Sequence, residues 1–369
     1  MNDTIQLLAE QIRSAQARGA SVRIRGGGSK DFYGGALHGE RLEMADYRGI
    51  IEYEPSELVL TARAGTPLAE IESTLHAHGQ MLAFEPPHFS AAPGPASSAT
   101  TPGAAAQATF GGCIAAGLSG PRRATAGSVR DFVLGVRLLD GSGREMRFGG
   151  KVMKNVAGFD VSRLLAGSLG TLGVLLDISL KVLPLPAAEA TLRFEHHAAT
   201  AIRLLNEWGG KPLPLSASAW HDGLLTLRLS GARAAVDAAV RQLGGERLGE
   251  TSAAAYWHGL REHRTGFFTS DTPLWRLSVK STTPPLELAG AQLIEWGGSL
   301  RWVATSAAAS TLRAAARQAG GHATLFRGGD KTAGVFQPLP PALLTLHRNL
   351  KRALDPAGVF NRGRLYPEF

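Results

Sequence analysis

Two glycine clusters are the residues in this chain best suited to binding chemistry. In the first, Gly26, Gly27, Gly28, Ser29 and Lys30 follow a short predicted strand at 21–25. Consecutive glycines leave backbone N–H groups open, and a hydroxyl and an ammonium beside them favour a bound phosphate. The spacing fits neither a Walker A loop nor a Rossmann fingerprint. Taken alone, the cluster is either a phosphate nest or a plain glycine turn.

The second cluster runs through 108–184, where glycines recur among small residues and hydroxyls. A clustered set removes side chains from a whole surface, so that a polar, phosphate-bearing ligand can lie against bare N–H groups. The alternative is a loop-rich α/β domain with many tight turns. Because both glycine clusters indicate a phosphate-bearing ligand, we favour that interpretation over a loop-rich domain. The glycines concerned are Gly111, Gly112, Gly117, Gly120, Gly127, Gly158, Gly167, Gly170 and Gly173.

Composition narrows the class of protein. The 369 residues predict two or three domains, and the net charge of +8 suits an anionic ligand, an acidic partner or an anionic surface. Lys and Arg are scattered and aromatic residues make up only 7%, which argues against nucleic acid. The single cysteine, Cys113, excludes an internal disulfide and an iron–sulfur cluster held by this chain, and it fits the cytoplasm. We see no signal peptide or membrane span, and therefore expect at most peripheral membrane contact.

Hydrophobic periodicity supplies the elements that must position these clusters. It predicts a helix at 3–18, strands at 50–53 and 58–63, and a helix capped by Thr66. The second glycine cluster contains a predicted strand at 131–139, a hairpin turn at 140–143 and a buried strand at 174–182. Pro184 and Pro186 then indicate a domain boundary. Beyond it, alternating strands and Ala-rich helices predict a sheet with helices on one side, followed by a last helix at 341–354.

Five sequence motifs, in the order in which they occur along the chain, resemble those of the flavoprotein superfamily that includes vanillyl-alcohol oxidase and p-cresol methylhydroxylase (PCMH). They are RGGGSK, RAGTPLAEIE, TFGGCIAAGLSGPRRATAGSVRDFVLGV, KNVAGFDVSRLLAGSLGTLGV and LDPAGVFNRGRL. More narrowly, the chain resembles the family of E subunits of bacterial glycolate oxidase (glycolate dehydrogenase). The segments that carry the narrower resemblance are QMLAFEPPHF, KVMKNVAGFD, LIEWGGSLRW and GGHATLF.

The resemblance implies an α+β, PCMH-type fold with two α+β subdomains that bind FAD, and a C-terminal cap domain on an antiparallel sheet. The FAD-binding domain is expected at 1–185, with subdomains at about 1–85 and 108–185 joined by a low-complexity loop at 89–108. The cap is expected at 186–340, and a C-terminal helix and tail at 341–369 would return to the flavin.

The resemblance also implies which residues contact FAD. The first glycine run would meet the pyrophosphate, and the second cluster would follow the pyrophosphate, ribose, flavin edge and adenine side. Asn361 and Arg364 would close over the ring system. Ser29 stands where members with covalent flavin carry His, so FAD is expected to be non-covalent. The expected contacts are Gly26, Gly27, Gly28, Ser29, Lys30, Thr109, Gly111, Gly112, Gly120, Ser128, Asp131, Val133, Gly158, Gly170, Gly173, Val174, Asn361 and Arg364.

Catalytic residues cannot be assigned from the motifs. Related enzymes carry His-x-x-x-Gly-Asp-Gly-Asn-x-His and Glu-His-Gly-x-Gly, and neither occurs here. His258 and His263 are five residues apart, so we predict a surface or packing role for each and no metal site. If the chain did bind a hydroxy acid, Arg122, Arg123 or Arg327 would hold its carboxylate.

The sequence therefore predicts an FAD subunit of a multi-subunit glycolate oxidase that forms glyoxylate. By resemblance, its partners are a catalytic flavin subunit and an iron–sulfur subunit, and the complex acts on a small 2-hydroxy acid. The expected location is the cytoplasm, with possible contact at the inner face of the membrane. Two alternatives stay open: a self-sufficient FAD dehydrogenase of a small 2-hydroxy acid such as D-lactate, and a scaffold that has lost flavin.

Overall fold

The computed structural model describes residues 2–89, 107–151 and 160–369. Gly158 and nearly all of the low-complexity loop predicted at 89–108 lie outside the described residues.

The first half of the chain is built on a five-stranded antiparallel sheet with the order β3-β4-β8-β6-β7. A separate parallel pair, β1 and β2, leads into the first glycine cluster, and β5 pairs with β9. The elements are α1 (Asn2–Ala17), β1 (Val22–Arg25), β2 (Glu40–Glu43), β3 (Ile50–Glu54), β4 (Val59–Arg63), α2 (Leu68–Ala77), β5 (Gln80–Met81), α3 (Phe110–Ala116), α4 (Arg123–Ala126), α5 (Val129–Phe132), β6 (Val133–Leu139), β7 (Glu145–Gly149), α6 (Val161–Leu164), β8 (Val174–Lys181) and β9 (Leu183–Pro184).

The second half forms an eight-stranded antiparallel sheet, which we call the cap sheet, with the order β13-β10-β12-β11-β15-β16-β14-β17. A last helix follows it. The elements are β10 (Ala188–Glu195), α7 (Ala198–Gly209), β11 (Leu215–His221), β12 (Leu224–Gly231), α8 (Arg233–Leu243), β13 (Glu246–Arg247), α9 (Glu250–Arg261), β14 (Leu274–Ser278), β15 (Ala291–Glu295), β16 (Leu300–Ala304), α10 (Ala309–Gln318), β17 (His322–Arg327) and α11 (Pro341–Leu354).

Apolar side chains follow the predicted periodicities. In α1, Leu8, Ile12 and Ala15 lie on one buried face, as the helical spacing requires. Strand β8 is buried along most of its length, because it is a central strand of the five-stranded sheet. A further apolar cluster joins the two halves: Tyr33 and Leu169 from the first half pack with cap residues such as Phe326. The cap sheet is thus bound to the first half through a continuous apolar contact.

Two local predictions differ from the structure. The strand predicted at 131–139 begins only at Val133, because Ser128 and Asp131 form a capping box that starts the short helix α5. Thr66 does not cap α2. Its hydroxyl accepts from the Gly49 N–H and donates to the Arg63 carbonyl instead. Within the described residues, we find no helix that combines the length and apolar character needed to cross a membrane.

Candidate functional site

The first glycine cluster is a tight loop that lies directly after β1. A Cβ built on Gly26 would clash with Thr109 Oγ1, and one built on Gly27 would clash with the Gln107 carbonyl oxygen. Gly28 has a φ of 75°, a conformation that side chains disfavour. The loop therefore lies flat against residues 107–109, and larger residues would force these two segments apart.

The backbone N–H groups of this loop, 26–30, have no acceptor within the part of the chain that the structure describes. Beside them, Lys30 Nζ lies 3.4 Å from Ser29 Oγ and 3.3 Å from the His88 carbonyl oxygen. Burial lowers the pKa of Lys30. A row of open N–H groups beside a cation is an arrangement that binds a phosphate or diphosphate.

At the start of the second cluster, Gly111 and Gly112 have local roles in helix capping and packing. Thr109 caps α3 by accepting the Gly112 N–H, at 3.3 Å. The Gly111 N–H donates to the Ala64 carbonyl at 2.7 Å, and a Cβ on Gly111 would lie 2.6 Å from Ala64 Cβ. The N–H groups of Gly111 and Gly112 thus have protein acceptors, and Gly111 allows α3 to pack closely on the end of β4.

Asn361 ties the two glycine regions together. Its Oδ1 accepts from the Ile24 N–H at 2.8 Å, and its Nδ2 donates to the Leu169 carbonyl at 2.6 Å. Its own backbone N–H bonds to Val22. Gly170 is required here, since a Cβ on it would lie 2.6 Å from Asn361 Nδ2. Asn361 thus positions both loops, and both ends of its amide are already engaged by backbone.

Arg364 holds the segment that follows the first glycine cluster. Its guanidinium donates to the Gly35 carbonyl, to Asp31 at 3.0 Å and to Lys30 at 3.4 Å. The side chain is buried, and burial lowers the pKa of Arg364 to about 10. Asn361 and Arg364 both lie beside the first glycine cluster. In the structure, however, their polar atoms fix the backbone of the glycine loops.

The remaining predicted contacts lie along α3 to β8. A Cβ on Gly120 would clash with the Glu85 carbonyl, and Ser128 N–H and Oγ each donate to Asp131 Oδ2 at 2.8 Å. Burial opposes ionisation of Asp131, but these hydrogen bonds lower its pKa. Val133, Gly173 and Val174 lie at the starts of β6 and β8, where the valines are buried. These residues therefore form turns and the first residues of strands, and they expose few polar atoms.

A buried ionic network joins the cap sheet to the first half. Glu85 accepts from Arg228 Nη2 at 2.9 Å and from the Arg122 backbone N–H at 2.8 Å. Arg122 Nη2 pairs with Glu189 at 2.5 Å. Burial would raise the pKa of Glu85, but the two arginines outweigh it and hold the pKa below its usual value. Arg122 is therefore committed to this network and is not available to hold a substrate carboxylate.

Arg123 and Arg327 are also engaged. The Arg123 guanidinium lies over the Trp296 ring, 4.4 Å from its centroid, and Arg327 Nη2 donates to the Phe268 carbonyl at 2.6 Å. His263 stacks on Phe268 with ring centroids 3.8 Å apart, which confirms a packing role for it.

The cation that sequence reasoning missed is Arg276. It lies on β14 and lines a cavity of about 20 Å³, the size of one water molecule, between the cap sheet and the Gly120 turn. Glu295 lines the same cavity and accepts from Trp302 Nε1 at 2.7 Å. Burial raises the pKa of Glu295 to about 7. Arg276 follows the alternation of the strand, since it lies on the face opposite Trp275 and Leu277, so the local pattern carried no signal that it lines a cavity.

Comparisons with known proteins identify the family and the cofactor class. A family model described as an FAD binding domain matches residues 3–93. Glycolate oxidase subunit GlcE of Escherichia coli (strain K12) is 46% identical over 366 residues, which cover 99% of this chain and 98% of that protein. Glycolate oxidase subunit GlcD of Bacillus subtilis (strain 168) is 40% identical over 83 residues, covering 22% of this chain and 18% of that one.

Among solved structures, alkyldihydroxyacetonephosphate synthase matches with a TM-score of 0.63 and 14% identity. The match covers 96% of this chain and 75% of the synthase chain. At this identity it bears on the fold alone, and it supports the predicted α+β, PCMH-type architecture.

Proposed function

We propose, because the chain belongs to the family of glycolate oxidase E subunits, that it is the FAD-binding subunit of a multi-subunit glycolate oxidase. The observation that carries this proposal is the 46% identity to the E. coli subunit, which extends over 98% of that protein. The identity is not confined to the cofactor-binding segment at 3–93. The chain is therefore an oxidoreductase subunit, and FAD is its cofactor.

The residues present fit FAD at one point above all. The open N–H groups of 26–30, with Lys30 beside them, suit the negative charge of the FAD diphosphate. Asn361 and Arg364 keep this loop and the Gly170 turn in place. In this proposal, residues 1–185 bind FAD, 186–340 form the cap and 341–369 return to the site. The other predicted contacts, Gly158 included, remain part of the proposal.

FAD, when bound, supplies the redox chemistry, since it takes up an electron pair and can release electrons one at a time. The chain's own residues would hold the cofactor, and the Glu85 network joins the cap sheet to the first half of the chain. Cys113 is the single cysteine of the sequence, so any iron–sulfur cluster must belong to another subunit. We therefore propose a related catalytic flavin subunit and an iron–sulfur subunit as partners, in a complex that acts at the cytoplasmic face of the membrane.

An absorption spectrum tests the proposal directly. We expect the purified chain to be yellow, or to become yellow with added FAD, and to stay oxidised under anaerobic glycolate. When it is co-purified with the related flavin subunit, glycolate should bleach the flavin. A colourless chain that cannot take up FAD would indicate a scaffold and would refute the cofactor role.

A further inference from the structure

Glu262 is a buried carboxylate at the junction between the cap and the first half of the chain. It directly follows α9, and its side chain is only 2% exposed. Burial opposes ionisation of Glu262, but Arg261 and the N–H groups of Phe89 and His88 outweigh this effect and lower its pKa. A charge in the interior is stable only where such partners replace its hydration, so this carboxylate stays ionised because of the residues around it.

Glu262 fixes the backbone of residues 88 and 89. Its two oxygens accept from the His88 N–H at 3.1 and 3.2 Å, and Oε2 also accepts from the Phe89 N–H at 2.8 Å. Phe89 has a φ of 50°, a conformation that residues other than glycine adopt only where their surroundings hold them. One side chain of the cap thus holds two consecutive amides of the first half.

The residues that Glu262 fixes also contact Lys30. Lys30 Nζ donates to the His88 carbonyl at 3.3 Å and lies 5.7 Å from the centroid of the Phe89 ring. Burial lowers the pKa of Lys30, and the negative charge of Glu262 partly offsets that effect. Glu262 therefore acts on the ammonium in two ways, through the position of residues 88 and 89 and through its own charge.

We propose that Glu262 is a positioning residue for Lys30, and that the cap thereby helps to hold the diphosphate of FAD. The proposal rests on the proposed function, because that function supplies the cofactor. The open N–H groups of 26–30 belong to the first half, whereas the carboxylate that orders the cation beside them comes from the cap. A cap that moved away from residues 88 and 89 would release Lys30 and weaken the hold on FAD.

Glu262→Gln is the informative variant, because it keeps the shape of the side chain. Both carboxylate oxygens accept hydrogen bonds, one of them from Arg261 Nε at 2.8 Å and the other from the Phe89 N–H. In glutamine one oxygen becomes an NH₂ group, so a donor would face a donor at one of these two places. Arg261 Nη1 still lies 3.8 Å from Glu72 Oε1, so the change does not leave the arginine without a carboxylate.

The test is a fluorescence titration of the full-length apo chain with FAD. Glu262→Gln should weaken FAD binding by roughly tenfold, the effect of one lost hydrogen bond to a charged group. Lys30→Met keeps the glycine loop and should also weaken binding. In that background Glu262→Gln should change the affinity by less than about twofold, because its route to the cofactor is gone. Glu250→Gln, exposed in the first turn of α9, is the matched control and should bind FAD normally.

Hydrogen–deuterium exchange distinguishes positioning from a general loss of folding. In Glu262→Gln the His88 and Phe89 amides should lose protection, while the amides of β8 and the melting temperature stay near those of the wild type. Unchanged protection of the two amides, or a loss of protection throughout the chain, would overturn the proposal. So would unchanged FAD affinity in Glu262→Gln, or effects of Glu262→Gln and Lys30→Met that simply add. If the wild-type chain bound no FAD, the proposed function itself would fall.

Discussion

The buried pair of Lys351 and Asp355 offers a quantitative test of how the carboxyl-terminal segment is anchored. The two side chains are 2.6 Å apart, and Asp355 also accepts from the N–H groups of Val359 and Phe360, each at 2.8 Å. Asp355→Asn keeps the shape of the side chain and removes its charge. The ammonium of Lys351 would then be buried without a counter-ion, a situation that costs about 3 to 5 kcal/mol.

The pKa of lysine sets an upper limit on this loss of folding stability. Burial already lowers the pKa of Lys351, and Asp355 partly offsets that effect. The ordinary pKa of lysine, about 10.4, lies about 3.4 above pH 7. At about 1.4 kcal/mol for each pKa unit, removing the proton from Lys351 at pH 7 costs about 5 kcal/mol. The charge penalty cannot greatly exceed this value, because the lysine would otherwise become neutral. The folded variant would then bind fewer protons than the unfolded one, so its stability should rise as the pH is raised toward 10.

Hydrogen–deuterium exchange of the Val359 and Phe360 amides is the assay. A loss of about 3 to 5 kcal/mol corresponds to protection factors lower by on the order of a hundredfold to five-thousandfold. Glu207→Gln breaks an exposed pair with Arg203 at the same i, i+4 spacing, and should leave these factors unchanged. Protection in Asp355→Asn within threefold of the wild type would refute the claim that this ion pair anchors the segment.

Three further predictions concern the interior. Gly27→Ala should greatly weaken FAD binding in a fluorescence titration, because its Cβ would clash with the Gln107 carbonyl, whereas Gly266→Ala meets open space and should bind normally. Since burial raises the pKa of Glu295 to about 7, the folded state keeps a proton that the unfolded state loses. Stability should therefore fall by roughly 3 to 4 kcal/mol between pH 4.5 and 7, and melting curves of Glu295→Gln should lack this slope. Burial raises the pKa of the Cys113 thiol to about 12, so a thiol reagent should react only after denaturation; rapid labelling of the native chain would contradict this.

Local pattern was sufficient to predict the elements and the position of the first glycine loop. Periodicity found the buried face of α1 and the central strand β8, because side-chain spacing along one element decides which face is buried. The resemblance to the E-subunit family is confirmed by identity along the whole chain. The glycine run also marks a place where side chains have no room, since a Cβ on Gly26 or Gly27 would clash with Thr109 or Gln107.

The polar partners could not be predicted in the same way. Arg122 looked free to hold a carboxylate, but Glu85 and Glu189 are 37 and 67 residues away in sequence and adjacent in space. Arg276 was overlooked because it lies within an apolar strand, and only the packing of the cap sheet on the Gly120 turn shows that it lines a cavity. Which charges meet is decided by tertiary contacts between distant segments, and a single sequence carries no record of those distances.

The hydrogen bond between Asn361 and Ile24 joins residues 337 positions apart. During synthesis, at about 5 to 20 residues per second, Ile24 leaves the peptidyl-transferase centre roughly 17 to 70 seconds before Asn361 is added. Throughout that interval the first glycine loop lacks the amide that fixes it. If this loop binds FAD as proposed above, cofactor capture follows the synthesis of residue 361, and a chain that ends before that residue lacks the amide that fixes the loop.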